Sequence, residues 1–171
     1  MIKRVDFYSM GVAAILVTGW LAWSDAVKKE VPASTWFEVK NISVPNFVEG
    51  DDPMMIYDRK IIKPFHATWS VEVHRANDAV DYAYCYGSGN QFYEPKEILP
   101  KSGVTLSWFI GKDCKLPEGQ YTLQASWEIR PEGYPTKIET YTSNLFRVLP
   151  KGAQLYLTPE QAAKVRGLPN P

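Results

Sequence analysis

The stretch "LPEGQYTLQASWEI" (residues 116–129) carries the strongest structural pattern in this chain of 171 residues. A Pro-x-Gly turn signal is followed by an apolar residue at every second position from Tyr121 to Ile129. Because successive side chains of a strand point to opposite faces, this spacing predicts a strand with one buried and one solvated face. The stretch therefore predicts a turn that delivers a tyrosine into a half-buried strand.

Similar alternation elsewhere in the chain predicts an all-β fold. The segment "PFHATWSVEVHR" (residues 64–75) alternates strictly, and residues 35–44 alternate roughly. We also expect strands at 80–87, ended by glycines and Asn90, at 104–110 and at 136–149, the last forming a closing hairpin with 120–130. A turn at Asn77 and Asp78 predicts a hairpin between 64–75 and 80–87. Residues 45–59 are expected to form a long exposed connection, because "GDDP" breaks any ladder.

Composition agrees with short strands joined by punctuated turns. Aromatic residues make up 13% of the chain and prolines number 13, which favours a sandwich of two antiparallel sheets with six or seven strands. The 19 lysines and arginines balance the 19 aspartates and glutamates. No overall field draws the protein toward phosphate groups, so we do not expect a nucleic-acid partner.

The opening stretch resembles the tyrosine corner of immunoglobulin-like domains, in which a tyrosine near the start of the penultimate strand bonds back to the backbone. The resemblance assigns Tyr121 as the corner residue, with Gly119 relieving the backbone before it. The segment "SNLFRV" (residues 143–148) is similar to the last strand of bacterial immunoglobulin-like and fibronectin-like domains. The resemblance covers residues 35–149 and implies an immunoglobulin-like antiparallel β-sandwich. It departs from antibody domains at Leu123, where those domains carry a cysteine.

Cys85 and Cys114 are the two cysteines of the chain. A disulfide between them would close a loop of about thirty residues and contribute roughly 3–4 kcal/mol. Free buried thiols and a catalytic thiol are the alternatives, although no Cys-x-x-Cys spacing is present. A disulfide would place the domain in an oxidising compartment outside the cytoplasm.

The N-terminal region contains an uncharged apolar run, residues 7–23, after Lys3 and Arg4. Its length is at the lower limit for a helix that crosses a bilayer, and Trp20 and Trp23 lie at one end, where indole rings favour the headgroup region. We predict an uncleaved single-pass anchor, with a cleaved signal peptide and a buried core helix as alternatives. Lys28 and Lys29 balance the basic residues at the start, so the orientation depends on the disulfide: N-terminus in the cytoplasm, domain in the periplasm or outside the cell.

These patterns divide the chain into four parts. Residues 1–27 form the predicted transmembrane anchor, 28–34 a linker, 35–150 the immunoglobulin-like sandwich and 151–171 a C-terminal extension. In that extension Thr158 as N-cap, Pro159 at the first helical position and Gly167 as terminator predict a short helix.

The histidines and acidic residues of the chain are weak candidates for catalytic or metal-binding roles. His66 and His74 lie on the solvated face of one predicted strand, about 26 Å apart at 3.3 Å per residue, so they cannot share an ion. Glu72 and His74 are same-face neighbours, which is more typical of a solvated surface than of an acid–base pair. The "GDDP" turn (residues 50–53) lacks the spaced carboxylates of a calcium loop. We predict neither an enzyme nor a cofactor or metal site.

An aromatic cluster is the stronger binding candidate. It comprises Tyr82, Tyr84, Tyr86, Phe92 and Tyr93, residue types that are enriched where proteins bind proteins or sugars. The alternative is that the tyrosines line a core strand.

Three functional classes follow from these features: a membrane-anchored domain that binds a protein partner, a carbohydrate-binding module that uses the aromatic cluster, and an enzyme. The order of elements also resembles small membrane-anchored proteins of tailed bacteriophages and prophages. That resemblance implies a role at the host envelope or as a structural component of the particle.

Overall fold

The protein is described by a computed structural model that covers residues 5–76, 83–95 and 103–153. Within the first helix, side chains are described at residue 12 and from residue 14 onward. The predicted C-terminal helix, the predicted turn at Asn77 and Asp78, and Tyr82 lie outside the described residues.

The described chain contains one long helix, one short helix and nine strands. In chain order they are α1 (Val5–Glu30), a 3₁₀ turn (Ala33–Thr35), β1 (Phe37–Ser43), β2 (Phe47–Val48), β3 (Met54–Ile61), β4 (Phe65–Arg75), β5 (Ala83–Tyr93), β6 (Val104–Thr105), α2 (Leu106–Ile110), β7 (Gly119–Arg130), β8 (Lys137–Thr142) and β9 (Phe146–Leu149).

The strands form two sheets that pack as a sandwich, which confirms the predicted fold at that level. One sheet has three strands in the order β1-β3-β6. The other has six strands. Five of them follow the order β2-β9-β7-β4-β5, and the sixth, β8, pairs with a later section of β7 than β9 does. The expected hairpin partners β4 and β5 are antiparallel. The prediction that all strands are antiparallel is wrong for β2, which pairs parallel to β9.

The core between the sheets is built around Trp127 of β7. Its ring packs 5.3 Å from Phe37 on β1 and 6.0 Å from Tyr57 on β3, so one side chain contacts an edge strand and the central strand of the facing sheet. The indole Nε1 donates a 3.3 Å hydrogen bond to the hydroxyl of Tyr93, which satisfies a polar atom that is buried. The alternation predicted for β7 is present in full, because every second residue from Tyr121 to Ile129 is buried.

Tyr121 makes the contact expected of it from the sequence. It is fully buried, and its hydroxyl donates a 2.9 Å hydrogen bond to the carbonyl of Pro117, four residues upstream. Gly119 does not have positive φ, so backbone freedom does not explain it. A Cβ at that position would lie 2.9 Å from Nε of Arg75, whose guanidinium lies over the Tyr121 ring. The glycine therefore makes room for Arg75, which corrects the backbone role expected for it.

Cys85 of β5 and Cys114, which follows α2, form the expected disulfide. Their Cα atoms are 5.9 Å apart and their positions differ by 29 residues. The bond ties β5, the edge strand of the larger sheet, to the segment that leads into β7. Its stabilisation in the chain-entropy model is about 3–4 kcal/mol for a loop of this length.

The predicted exposed connection at residues 45–59 is wrong, because it contains β2 and most of β3. Met55 and Tyr57 of β3 are buried, and β3 pairs with β1 from Ile56 to Ile61. The glycine and proline of "GDDP" do interrupt the chain, but only between β2 and β3.

The predicted strand at residues 104–110 is also wrong beyond its first two residues. After β6 the chain enters α2, whose first turn is capped from a distance: Asp52 accepts hydrogen bonds from the backbone N–H of Ser107 at 2.9 Å and from its hydroxyl at 2.6 Å. Gly111 ends the helix with φ of 82°. The Asp52 carboxylate, which belongs to the "GDDP" turn, thus satisfies the helix N-terminus.

The prediction that the strand ends at Gly87 is wrong as well, because β5 continues to Tyr93. Gly87 and Gly89 are needed for space. A Cβ at Gly87 would lie 1.8 Å from the carbonyl oxygen of Phe109 in α2, and one at Gly89 would lie 2.7 Å from the Trp69 ring. Glycine inside a strand marks this kind of close approach.

Two asparagines join the beginning of the sandwich to its end. The side chain of Asn144 accepts a 2.8 Å hydrogen bond from the N–H of Val44 and donates one of 2.9 Å to its carbonyl. The side-chain oxygen of Asn46 accepts a 2.8 Å bond from the N–H of Arg147. These bonds hold β2 against β9.

Candidate functional site

The described apolar side chains of α1 do not pack in the sandwich core. Its described large apolar side chains between residues 12 and 23 are 58–72% exposed: Val12, Ile15, Leu16, Val17, Trp20, Leu21 and Trp23. At 3.6 residues per turn they cover more than half of the helix circumference. A helix that is apolar on most sides is normally buried in protein or lipid. The described part of the chain contains no helix that meets the length and hydropathy needed to traverse a bilayer.

The end of α1 is fixed to the sandwich. The ammonium of Lys137 on β8 donates hydrogen bonds to the carbonyls of Lys28 at 3.3 Å and Lys29 at 2.6 Å. Helices leave their last carbonyls unsatisfied, and a cation there is favourable. The ammonium of Lys28 lies 6.0 Å from the ring of Tyr134, which packs edge-on against Trp36. α1 is thereby held against the β7–β8 turn.

This arrangement corrects the predicted linker at residues 28–34. The helix continues through Glu30, because residues 24–30 include good helix formers and the terminal lysines suit the helix dipole. A 3₁₀ turn then begins at Ala33. Only Val31 and Pro32 separate the two helical segments.

The histidines of β4 lie on the open outer face of the six-stranded sheet. Nε2 of His74 is 3.2 Å from a carboxylate oxygen of Glu72, while the ring of His66 packs against Phe92 at 4.6 Å. His66 and His74 lie at opposite ends of the strand, so the structure does not bring them together. Among the residues described, no group of three or more His, Cys, Asp or Glu side chains could hold a metal ion.

The structure separates the predicted aromatic cluster. Tyr93 is 2% exposed and belongs to the core, and half-buried Tyr84 packs edge-on against Tyr121. Tyr86 and Phe92 are exposed on the outer face of β5, but six residues of strand place them about 20 Å apart. The four described members therefore do not form one aromatic surface.

A second aromatic feature, which sequence reasoning missed, lies on α2. Trp108 is 48% exposed and stacks on Trp69 at 6.1 Å with an interplanar angle of 13°. Phe109 packs edge-on against Trp108 at 4.8 Å, so the exposed indole is held on two sides. The signal that could have revealed this contact is Gly87-x-Gly89 within a strand, which marks an element lying against its backbone.

Tyr141 of β8 lies between the two sheets. Burial raises the pKa of its phenol, although a backbone hydrogen bond from Val39 on β1 opposes the shift. Its ring packs edge-on against Trp127 at 5.9 Å. The residue joins the edge of the larger sheet to the smaller one.

Comparison of the chain with protein-family models, with curated proteins and with solved structures finds no match.

Proposed function

We propose that the protein is a membrane-anchored, non-enzymatic binding module, with α1 entering a lipid bilayer and the sandwich displayed beside it. The observation that carries the proposal is the exposure of the apolar side chains of α1 between Val12 and Trp23. Full burial of each large apolar side chain contributes roughly 1.5–3 kcal/mol. A bilayer supplies that burial on all sides of the helix.

The junction at Lys137 supports display close to the membrane surface. Because the ammonium of Lys137 holds the last carbonyls of α1, the sandwich follows the helix without a flexible linker. Trp20 and Trp23 lie near this end of the apolar run with their ring centroids 5.6 Å apart and an interplanar angle of 47°. Aromatic rings at such a position favour the headgroup region.

The proposed orientation has the N-terminus in the cytoplasm and the sandwich on the periplasmic or extracellular side. Support comes from the Cys85–Cys114 disulfide, since such bonds persist in oxidising compartments.

Within this proposal the sandwich is an immunoglobulin-like domain, supported by its two packed sheets and by the Tyr121–Pro117 hydrogen bond. Its role is to bind a protein partner. The separated aromatic cluster gives less support to a carbohydrate-binding module, because Tyr93 is buried and Tyr84 packs on Tyr121.

The anchor is tested by extracting membranes that contain the full-length chain with alkaline carbonate. The wild-type protein should stay in the membrane pellet, whereas Ile15→Glu/Leu16→Glu should move to the supernatant, because a charge at the centre of a bilayer costs about 2.5–3.5 kcal/mol. Ile138→Glu is the matched control, since Ile138 is 73% exposed on the sandwich. Equal extraction of wild type and the α1 variant would refute the anchor.

Labelling of a single cysteine placed near the N-terminus from each side of sealed vesicles distinguishes a crossing helix from one that lies in the interface. Photo-crosslinking of the full-length protein in its native membrane then tests the binding role. Capture of a discrete protein partner is expected, and glycan binding without any protein crosslink would contradict the proposal.

A further inference from the structure

β5 ends the six-stranded sheet and presents a long strand edge. β4 pairs with one side of β5 from Ala83 to Tyr93. Among residues 5–76, 83–95 and 103–153, no strand pairs with the other side. The backbone groups of an open edge pair readily with another strand, so proteins usually protect such edges with charged side chains, proline, a bulge or short length.

The greater part of β5 has none of these protections. Its one irregularity lies at its start, where the pairing with β4 shifts between Val73 and His74. From Cys85 to Tyr93 the pairing is continuous. This regular section, "CYGSGNQFY", contains no proline and no charged residue.

The regular section is also held rigidly from its inner side. The disulfide fixes Cys85 to Cys114, the backbone of α2 lies against Gly87, and the ring of Trp69 lies against Gly89. An edge that is already ordered loses little conformational entropy when it pairs.

We propose that two copies of the chain pair antiparallel through β5, with the two-fold axis at Gly89. Gly89 is the midpoint of the regular section, so this register uses all of it and leaves the irregular start outside. Tyr86 then lies opposite the partner's Phe92, and Ser88 lies opposite the partner's Asn90. Aromatic side chains meet aromatic ones, and polar side chains meet polar ones.

This register accounts for two exposed aromatic residues that the monomer leaves on the surface. Tyr86 and Phe92 are 58% and 46% exposed, and both lie on the outer face of β5. Within one copy, Tyr86 lies beside Glu72 and Phe92 beside His66. Across the pair, each row reads Glu72, Tyr86, the partner's Phe92 and the partner's His66, with no like charges opposite one another.

The pairing goes beyond the proposed function, because it holds whether or not α1 enters a bilayer. Its test is the mass of the full-length protein in nonionic detergent, measured by size exclusion with light scattering. The wild type should be a dimer. Tyr86→Lys/Phe92→Lys should be a monomer, because each lysine would lie opposite another lysine.

Tyr86→Lys/Phe92→Glu should restore the dimer, because the same register places a lysine opposite a glutamate. All variants should keep the disulfide and the circular dichroism of the wild type, since both substituted side chains are exposed. Ile138→Lys, an exposed position on β8 at the other side of the sheet, should leave the dimer intact.

A monomeric wild type would overturn the proposal. Dimers in both double variants would assign the contact to another surface such as α1, and monomers in both would refute the register. Carbonate extraction of the same variants should match that of the wild type, so failure of the pairing is distinguishable from failure of the membrane anchor.

Cysteine crosslinking tests the register directly. A mixture of Ser88→Cys and Asn90→Cys chains should form a mixed disulfide dimer on mild oxidation, in larger yield than either variant alone. Equal yields from the mixture and the single variants would overturn the axis at Gly89.

Discussion

Gly87→Ala is expected to destabilise the sandwich, although alanine is otherwise the better residue in ordered backbone. A Cβ at Gly87 would lie 1.8 Å from the carbonyl oxygen of Phe109 and 2.9 Å from its carbonyl carbon. Ordinary van der Waals contact begins at 3.4 Å, so the two atoms would be about 1.6 Å too close. Because the obstructing atoms belong to the backbone, no side-chain rotation relieves the clash.

The expected loss of unfolding free energy is about 2–3 kcal/mol, the upper part of the range for overpacked sites. α2 cannot move away easily, because Asp52 binds its first turn and the disulfide holds the chain just after it at Cys114. Without a clash, replacing glycine by alanine would stabilise the protein by about 0.4–1 kcal/mol through the unfolded state. A decrease in unfolding free energy would therefore support the close contact between Gly87 and α2, and an increase would contradict it.

Urea unfolding of the full-length protein in nonionic detergent, followed by near-ultraviolet circular dichroism, measures this change. Ser88→Ala is the matched control, because Ser88 is the exposed neighbour of Gly87, and its effect should stay within about 0.5 kcal/mol. A Gly87→Ala protein at least as stable as the wild type would show that α2 does not lie against β5 as described.

Three further predictions concern stability. Cys85→Ser/Cys114→Ser should lower the unfolding free energy by about 3–4 kcal/mol, and a reducing agent should do the same to the wild type; identical urea midpoints with and without reductant would refute this. Tyr121→Phe should cost about 1 kcal/mol through loss of its hydroxyl bond, whereas Tyr86→Phe on the surface should have no measurable effect; equal effects would contradict the structural role of the buried hydroxyl. Burial raises the pKa of Tyr141 above its ordinary value of 10.0, so its contribution to stability is complete below pH 10.0 and is lost as the pH rises through the raised pKa. In alkaline titrations Tyr141→Phe should lose less stability than the wild type, and parallel curves would show that the phenol does not contribute.

The sequence predicted those elements whose inner and outer faces differ cleanly. β4 and β7 lie at the centre of the larger sheet, each with one face on the core and one toward solvent, so apolar and polar residues alternate along both. The disulfide was predictable because the chain has only two cysteines, which leaves one possible pairing. The buried Tyr121 was predictable because it follows a marked turn signal at the start of an alternating strand.

β3 could not be recognised, because its two faces are chemically mixed. Met54 and Ile56 face outward although they are apolar, while Arg59 lies at the inner side with its guanidinium over the rings of Tyr57 and Tyr93. These exchanges remove the period of two on which strand prediction depends.

α2 was missed because its capping residue is distant in sequence. The carboxylate that satisfies Ser107 comes from Asp52, 55 residues earlier. The residues of α2, "LSWFI", favour a strand when they are considered alone. The continuation of β5 beyond Gly87 was missed for a related reason, since the contact of α2 with Gly87 and of Trp69 with Gly89 depends on strand pairing that no local pattern shows.

The pairing of β2 with β9 has a consequence for biosynthesis. The hydrogen bond between the N–H of Val44 and the side chain of Asn144 joins residues that are 100 positions apart. At a synthesis rate of roughly 5–20 residues per second, Asn144 is added on the order of 5–20 s after Val44. α1 therefore leaves the ribosome while the sandwich still lacks its closing strand. Targeting through the helix would precede completion of the domain, and the unpaired β2 would need shielding from other nascent chains until Asn144 arrives.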